Sequence, residues 1–477
     1  MPDSLTQQIR ALSQKAKVLE PEKQMRDSWL NSLAQYTHHF YDGLSQRPAA
    51  HSSEKLDLAP LISFNHTSSF DELLKAYQSC VVESGIDTAS GKYMGFIPGG
   101  GIYPSAIGDY LAAVSNTYGG AYLASPGAVV MERSLLELIA SWIGYDKTSA
   151  GNLTSGGSIA NLTALITARD AHHIKSHDIE KTVIYLTSLT HHSVTKALHL
   201  MSFGEAIVRI VPVDSCYRMN SDALMRMIDE DKNNKFKPWL IVASAGTTDL
   251  GSVDPISELA DIAARHHLWL HVDGAYGGFF VLTEHGKTIL NEIHRADSVA
   301  LDPHKGLFIP YGLGAVLVKN GTLLKNAMST TIAPYMQDTE NHRDTSSPND
   351  LSPELTKHFR AVRLWLPIKL FGIQPFRAAL EEKLLLATYF AHEISQMPDA
   401  DILCQPQLSI VAFRFKSGAD HDIYNRQLLE KINQSGLAFL TSTTINHSFY
   451  IRMACLSIRT HLEEIQTLID LIKKING

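Results

Sequence analysis

Short apolar segments alternate with amphipathic segments through the middle of this 477-residue chain. The apolar segments are rich in β-branched residues, which is typical of strands that are buried on both faces of a sheet. Because parallel strands are joined by crossover helices, the alternation predicts a mostly parallel sheet with helices on both faces. The predicted strands are TVIYLT, AIVRIVPV, WLIVAS, LWLHVD and DSVALD, between Thr182 and Asp302.

Two regions of different character flank this predicted sheet. Residues 1–85 show helical patterns without strand signals, so they are predicted to form an N-terminal helical segment. Residues 86–374 would form the large α/β domain. From about residue 375 the sequence reads as a long helix, several strands and a closing helix, which predicts a small C-terminal α+β domain over residues 375–477.

Composition and charge argue against several classes of protein. Hydrophobic residues make up 44% of the chain and charged residues 19%, which is ordinary for a globular protein. The formal net charge of −7, without a Lys/Arg-rich block, argues against a nucleic-acid partner. No apolar run approaches the roughly 20 residues that span a bilayer, so no membrane partner is expected. The four cysteines are widely spaced and the start lacks a signal-peptide pattern, so we expect reduced thiols and a cytoplasmic location.

The first of three polar motifs at predicted strand ends is NLTSGGSIANL. In such sheets ligands bind outside the carboxyl ends of the strands. Residues 154–158 open a predicted helix that runs to about Ala171. Free backbone N–H groups at a helix start, with glycines that permit close approach, suit a phosphate group. The same pattern also occurs in ordinary turns before helices, so alone it does not identify a site.

The second motif is LWLHVDGAYGG, in which a predicted strand ends at Asp273. A carboxylate at this position could ligate a metal, bind a ribose or hold a protonated ring nitrogen. It could also simply cap a turn. The motif alone leaves these alternatives open.

The third motif is DSVALDPHKGLFIPYGLG, in which a further strand ends shortly before Lys305. A lysine directly after a buried strand is costly unless its ammonium group is exposed or paired. Desolvation favours the uncharged amine, which is a nucleophile and can form a Schiff base. An exposed surface lysine is the simpler alternative.

Together the three motifs supply a phosphate site, a carboxylate for a pyridinium nitrogen and a Schiff-base lysine. Enzymes that use pyridoxal 5'-phosphate (PLP) need this set of groups. The combination is far more specific than any one motif. The paired histidines lack the spacing of a zinc helix, so no metal site is predicted.

The sequence resembles the group II pyridoxal-phosphate-dependent amino acid decarboxylases, which include aromatic amino acid, glutamate and diaminobutyrate decarboxylases. The likeness covers most of the chain from about Tyr93 onward. The resemblance implies a type I (aspartate aminotransferase-like) α/β fold, removal of the carboxylate of a small L-amino acid, and a homodimer. The segments that show the resemblance are SPGAVVMER, TSGGSIANLTALITAR, THHSVTKA, AGTTDLGSVDPI, HVDGAYGG, DPHKG and FRAVRLW.

The resemblance also implies roles for residues at the matching positions. Lys305 would form the Schiff base, Asp273 would pair with the pyridine nitrogen, and His191 would stack on the ring. Tyr335, in a polar stretch after the lysine, is the candidate proton donor, with an ordinary loop tyrosine as the alternative. The other implied cofactor contacts are Ala275 on the ring, Gly157, Ser158, Ser298 and His304 at the phosphate, and Thr247 at the cofactor edge.

Three places depart from the commonest family pattern. Asp302 stands where many members have Asn, which would put a carboxylate near the phosphate unless it turns toward a basic neighbour. Gly306 stands where a bulky residue often follows the lysine, and residues 99–101 are glycines where larger side chains are more usual. These positions shape the substrate pocket, so the sequence does not determine which amino acid is the substrate. A carbon–carbon lyase or transaminase on the same scaffold, or a non-catalytic PLP-binding protein, are the alternative functions.

Overall fold

The structure is a computed structural model that describes residues 2–51, 57–64, 67–329 and 347–476. The chain divides into two compact units, Met1–Ser90 and Gly91–Gly477. The three-part division with boundaries after residues 85 and 374 stays a prediction.

The first unit is helical, as the sequence predicted. Ser69 begins the last of its α-helices with a capping box, in which its hydroxyl accepts from Glu72 N–H and the Glu72 carboxylate accepts from Ser69 N–H. A largely buried ion pair joins Arg47 Nε to Asp87 Oδ2 at 2.5 Å. The helices are α1 (Pro2–Ala16), α2 (Lys23–Asp42), α3 (Ala59–Ile62) and α4 (Phe70–Tyr77), followed by a π-helical turn (Gln78–Val82).

A seven-stranded sheet forms the centre of the second unit. Its order is β1-β7-β6-β5-β4-β2-β3, in which β7 runs antiparallel to both of its neighbours and all other pairs are parallel. The five strands predicted between residues 182 and 302 are confirmed as β2 to β6. The strands are β1 (Ala150–Thr154), β2 (Thr182–Leu186), β3 (Ile207–Ile210), β4 (Lys237–Ser244), β5 (Trp269–Gly274), β6 (Ser298–Leu301) and β7 (Gly314–Val318).

Helices cover both faces of this sheet. Side chains along β4 alternate between two cores, with Ile241 and Ala243 in one and Leu240 and Val242 in the other. This period of two explains why the strand reads as a continuous apolar run. The helices are α5 (Tyr103–Ser115), α6 (Pro126–Ile143), α7 (Gly157–Ala171), α8 (His192–Leu200), α9 (Ser221–Asn233), α10 (Ile256–His266), α11 (Glu284–Ile289), α12 (Pro303–Gly306), α13 (Gly321–Met328) and α14 (Ala361–Phe371).

The C-terminal part of the second unit builds a smaller, four-stranded sheet with the order β10-β11-β9-β8. Its pairs are all antiparallel. A separate core lies beneath it, in which the Phe390 and Phe413 rings meet edge to face with centroids 5.4 Å apart. The elements are α15 (Gln374–Ser395), β8 (Ala400–Ile402), β9 (Ile410–Phe415), α16 (His421–Gln434), β10 (Thr441–Ile445), β11 (Ser448–Ala454) and α17 (Leu462–Asn476).

The strand directions bring the three sequence motifs to one edge of the large sheet. Because β1 and β6 both run antiparallel to β7, β1 points the same way as β6 and the parallel strands beside it. The carboxyl ends of β1, β5 and β6 therefore share an edge, and each is followed by one of the motifs. Within the described ranges, no helix is long and apolar enough to cross a membrane.

A buried ion pair ties β1 to α6 and to the segment before α14. Lys357 Nζ donates to Glu132 Oε1 at 2.7 Å, and Glu132 Oε1 also accepts from Leu153 N–H at 3.2 Å. Lys357 donates to Asn152 Oδ1 as well. Both charged side chains are at most 2% exposed. Burial is also the main cause that lowers the pKa of Lys357. The cluster fixes the strand that leads into residues 154–158.

Lys357→Met is expected to lower the free energy of unfolding by about 3–5 kcal/mol, because Glu132 would remain buried without a cation. Urea unfolding at neutral pH, followed by circular dichroism, measures this loss. The double variant Glu132→Gln/Lys357→Met removes both charges and should recover part of it. A single-variant loss below about 1 kcal/mol, the range of surface ion pairs, would contradict this account.

Candidate active site

A cavity of about 340 Å³ lies at the carboxyl edge of the large sheet. It brings together the turn after β1, the segment after β5 and the helix α12 after β6. Residues far apart in the sequence thus share one site, as the three motifs predicted. The predicted site residues that line it are Gly157, Ser158, His191, Thr247, Asp273, Ala275, His304 and Lys305.

The structure does not bring Ser298 to this cavity. Ser298 is the first residue of β6, whereas Lys305 follows the last, so the two lie at opposite ends of that strand. Its fully buried hydroxyl meets Trp269 Nε1 at 2.8 Å and His271 Nδ1 at 2.9 Å. The phosphate contact expected for Ser298 therefore has no support from its position.

Tyr335 lies within residues 330–346, outside the described residues. Its expected role as a proton donor stays a prediction.

The start of α7 forms one end of the cavity. Across the described parts of the chain, no side chain caps this helix, so its first N–H groups are not used by a capping residue. A Cβ on Gly157 would lie 2.9 Å from Asp302 Oδ2 and 3.1 Å from the Ala275 Cβ. A side chain at this position would therefore crowd Asp302 and Ala275, and the backbone N–H groups there suit an anion.

The carboxylate of Asp273 is held by two N–H donors. Asn161 Nδ2 donates to Oδ2 at 2.9 Å, and the Ala275 backbone N–H donates to Oδ1 at 3.1 Å. Asp273 is only 7% exposed. These donors stabilise an anion and fix its direction at the wall of the cavity.

The ring of His191 is fixed at the start of α8. Its Nδ1 accepts from the Ser193 backbone N–H at 3.2 Å and lies 2.7 Å from Ser193 Oγ. Burial lowers the pKa of His191, with Asp273 acting in the opposite direction. A neutral ring that accepts at Nδ1 carries its hydrogen on Nε2. His191 therefore presents a neutral, flat ring to the cavity.

Lys305 faces the unusual carboxylate of Asp302. Lys305 Nζ lies 3.0 Å from Asp302 Oδ2, and His304 Nε2 lies 3.7 Å from the same oxygen. Asp302 thus turns toward basic neighbours, which was one of the two expected outcomes. Its buried Oδ1 has no hydrogen-bond partner among the described residues. The same carboxylate packs against Gly157, at the start of α7.

The unusual glycines are explained by close packing. A Cβ on Gly306 would lie 2.8 Å from the Phe279 Cβ, so Phe279 fills the space beside it. A Cβ on Gly99 would lie 2.2 Å from the carbonyl oxygen of His304. Residues 99–101 also accept hydrogen bonds from Arg459 through the carbonyls of Gly100 and Gly101. The glycine run thus lets the backbone lie directly on the lysine segment.

Comparison with known proteins identifies the family. The family model described as the pyridoxal-dependent decarboxylase conserved domain matches residues 54–416. The chain belongs to the pyridoxal-dependent decarboxylase family. It is 35% identical to an aromatic-L-amino-acid decarboxylase of Bacillus atrophaeus, over 80% of each chain. It is 26% identical to a phenylacetaldehyde synthase of Petunia hybrida, over 92% of this chain and 91% of that protein.

A solved structure shares the whole fold. The structure of Oryza sativa TDC with PLP and tryptamine superposes with a TM-score of 0.89 at 24% identity, covering 95% of this chain and 98% of that one. This likeness confirms the predicted type I fold. The family membership makes this chain a PLP-dependent amino acid decarboxylase.

The residues of the cavity fit PLP. An uncapped helix start suits its phosphate, and a buried carboxylate held by two N–H donors suits a protonated ring nitrogen. Lys305 supplies the amine and lines the same cavity. Among the described residues that line the cavity, Asp302 does not match an anionic ligand, because its carboxylate has a buried oxygen without a hydrogen-bond partner.

Several residues at the site were not predicted. Ser193, Ser244 and Tyr276 line the cavity, and Asn161 lies directly behind Asp273. Ser244 ends β4, so the rule that sites lie at carboxyl ends of strands would have found it. Asn161 lies one turn after Gly157 on α7, and only the folded contact reveals its role.

Asp302→Asn is expected to tighten PLP binding by about tenfold, because it removes a negative charge beside the helix start that suits the phosphate. Titration of the apoprotein with PLP, followed by fluorescence quenching, measures the dissociation constant. Asp297→Asn, just before the far end of β6, is the matched control and should leave this constant unchanged. Weaker binding in Asp302→Asn would show that the carboxylate assists the cofactor.

Proposed function

We propose that this enzyme decarboxylates an L-amino acid at the cavity formed after β1, β5 and β6, with Lys305, Asp273 and His191 acting directly on PLP. One observation carries the proposal: these three side chains come from separate segments and line the same cavity. The presence of all three together argues against a PLP-binding protein without turnover.

When bound, PLP supplies a ring that accepts the electron pair left on the α-carbon as CO2 departs. Asp273 keeps a proton on the ring nitrogen, since a nearby anion favours the protonated form of a base. Asn161 and the Ala275 N–H hold the carboxylate in place for this purpose. Lys305 provides the amine for covalent attachment.

His191 and Ala275 both line the cavity and are proposed to cover the two faces of the cofactor ring. Their contribution is positioning, because a flat ring held between them keeps the breaking bond in a productive orientation. Thr247 lines the same cavity and would contact the cofactor edge.

Gly157, Ser158 and His304 are the proposed phosphate contacts. His304 Nδ1 lies 2.7 Å from the Leu313 carbonyl oxygen, which can only accept, so Nδ1 carries a hydrogen. His304 can then donate to phosphate through Nε2 only as a cation. Burial lowers the pKa of His304, and Asp302 opposes this shift. A bound phosphate would add a second anion that favours the cation.

The substrate and the final proton transfer are proposed from the relatives. The Bacillus atrophaeus relative is named for aromatic L-amino acids, so we propose this class as substrate. We propose that Tyr335 returns a proton to the α-carbon. The Petunia hybrida relative, a phenylacetaldehyde synthase, makes an aldehyde-forming reaction the second candidate.

Incubation of the PLP-loaded protein with each common L-amino acid, while CO2 and the organic product are measured, tests the function. An amine formed together with CO2 supports decarboxylation, an aldehyde supports the second candidate, and a keto acid without CO2 would indicate transamination and overturn both. Lys305→Ala should lower turnover by at least about 1,000-fold, because the attachment amine is lost. The control Lys319→Ala alters an exposed lysine and should retain activity. Near-normal turnover in Lys305→Ala would refute the assignment.

We further propose a homodimer, which the family resemblance implies. One face of α5 exposes large apolar side chains at helical spacing, and such a face favours a protein partner. These residues are Tyr103, Ile107, Tyr110, Leu111 and Val114, which are 37–66% exposed.

A cytoplasmic location is also proposed, because Cys80, Cys216, Cys404 and Cys455 are all free thiols.

The double variant Leu111→Glu/Val114→Glu is expected to weaken dimerisation by a factor on the order of 100, because two charges would enter the apolar contact. Sedimentation velocity over a range of protein concentrations measures the change. Leu385→Glu on α15, where the side chain is 70% exposed, is the matched control. A wild-type protein that sediments as a monomer would overturn the dimer, and an unaffected double variant would overturn this interface.

A further inference from the structure

A buried chain of hydrogen bonds lies behind the cavity and ends at both ring-contacting residues, Asp273 and His191. None of its members is among the cofactor contacts proposed above. Each member is at most 3% exposed, so their hydrogen bonds are shielded from water. They are Trp269, Ser298, His271, Asn161 and Ser193.

The first hydrogen bond of this network has a fixed direction. Trp269 Nε1–H can only donate, so the Ser298 hydroxyl accepts from it at 2.8 Å. The hydrogen of Ser298 is then free to bond His271 Nδ1 at 2.9 Å. Burial lowers the pKa of His271 to about 4, so its ring is neutral at neutral pH. A neutral ring that accepts at Nδ1 carries its hydrogen on Nε2.

The second half follows from this tautomer. His271 Nε2–H donates to Asn161 Oδ1 at 2.9 Å. The Asn161 amide then points both of its hydrogens toward the site, to Asp273 Oδ2 and to Ser193 Oγ, each at 2.9 Å. The Ser193 hydroxyl in turn donates a hydrogen bond to His191 Nδ1 at 2.7 Å.

The opposite orientation of the Asn161 amide is excluded by its neighbours. A flipped amide would place Oδ1 against the Asp273 carboxylate, where two acceptors would repel. It would also set NH2 against the Nε2–H of His271. The neutral His271 tautomer and the anionic Asp273 therefore select the same orientation.

We propose that Asn161 is a positioning residue that fixes Asp273 and His191 together, and that His271 holds its amide in the required orientation. Asn161 keeps Asp273 as an acceptor toward the cofactor nitrogen and keeps the His191 hydrogen on Nε2. The chain of bonds explains why Ser298 is a serine at the far end of β6. This inference rests on the proposed function, since the positions of Asp273 and His191 affect the reaction only when PLP is bound.

Asn161→Asp tests the proposal with almost no change of shape. It replaces the Nδ2 donor with an oxygen, so that two carboxylates 2.9 Å apart would have to share one proton. The dissociation constant for PLP is expected to rise by about 10- to 100-fold, which is the effect of losing a hydrogen bond to a charged group. The visible absorption spectrum of bound PLP should also change, because the ring nitrogen loses its fixed anion. Asn161→Ala should change both readouts in the same direction.

Asn425→Asp is the matched control. Asn425 is a fully buried asparagine that bonds the Phe415 and His421 backbone, remote from the cavity. It should lower stability but leave the PLP affinity and spectrum unchanged. Circular dichroism of each apoprotein establishes that it is folded before titration.

The outcomes separate this proposal from the function on which it rests. A folded wild-type protein that fails to bind PLP would refute the proposed function. A wild-type protein that binds PLP, together with Asn161 variants within about threefold of its affinity and with its spectrum, would overturn the positioning role. If neither Asn161 variant folds while Asn425→Asp does, Asn161 is structural and the proposal is also overturned.

Discussion

The hydrogen bond between Asn161 and the Asp273 carboxylate is the contact on which the rest of the site depends. A buried carboxylate is costly unless donors hold it, and here one donor comes from α7 and the other from the turn after β5. The same helix α7 begins at the glycine that faces Asp302 and Ala275. A single short helix segment therefore sets both the end of the cavity proposed for the phosphate and the end proposed for the ring nitrogen. Any shift of α7 along the sheet would change both at once.

The topology of the large sheet brings the segments that form the cavity together. Strands β1, β5 and β6 end at one edge because β7 returns antiparallel between β1 and β6. The Glu132–Lys357 pair then ties β1 to α6 through charges that are almost fully buried. Catalytic groups on loops gain precision when the elements that carry them are rigid.

Much of this arrangement could be predicted from the sequence, and the exceptions have physical causes. Strands β2 to β6 were predictable because each is an apolar run between amphipathic helices. Strand β7 was not, since an antiparallel return needs no crossover helix and leaves no alternation to detect. The resemblance implies a phosphate contact for Ser298, but a sequence match does not show at which end of a strand a residue lies. Asn161 and His271 act from behind the cavity, where only the folded contacts reveal them.

The proposed function depends on Lys305 as the residue that carries PLP. Borohydride makes a covalent link between PLP and an amine permanent, and peptide mapping then locates the modified residue. We expect one modified peptide, with the label on Lys305. Fully loaded protein that yields the Lys305 peptide unmodified, or a label on another lysine, would contradict it.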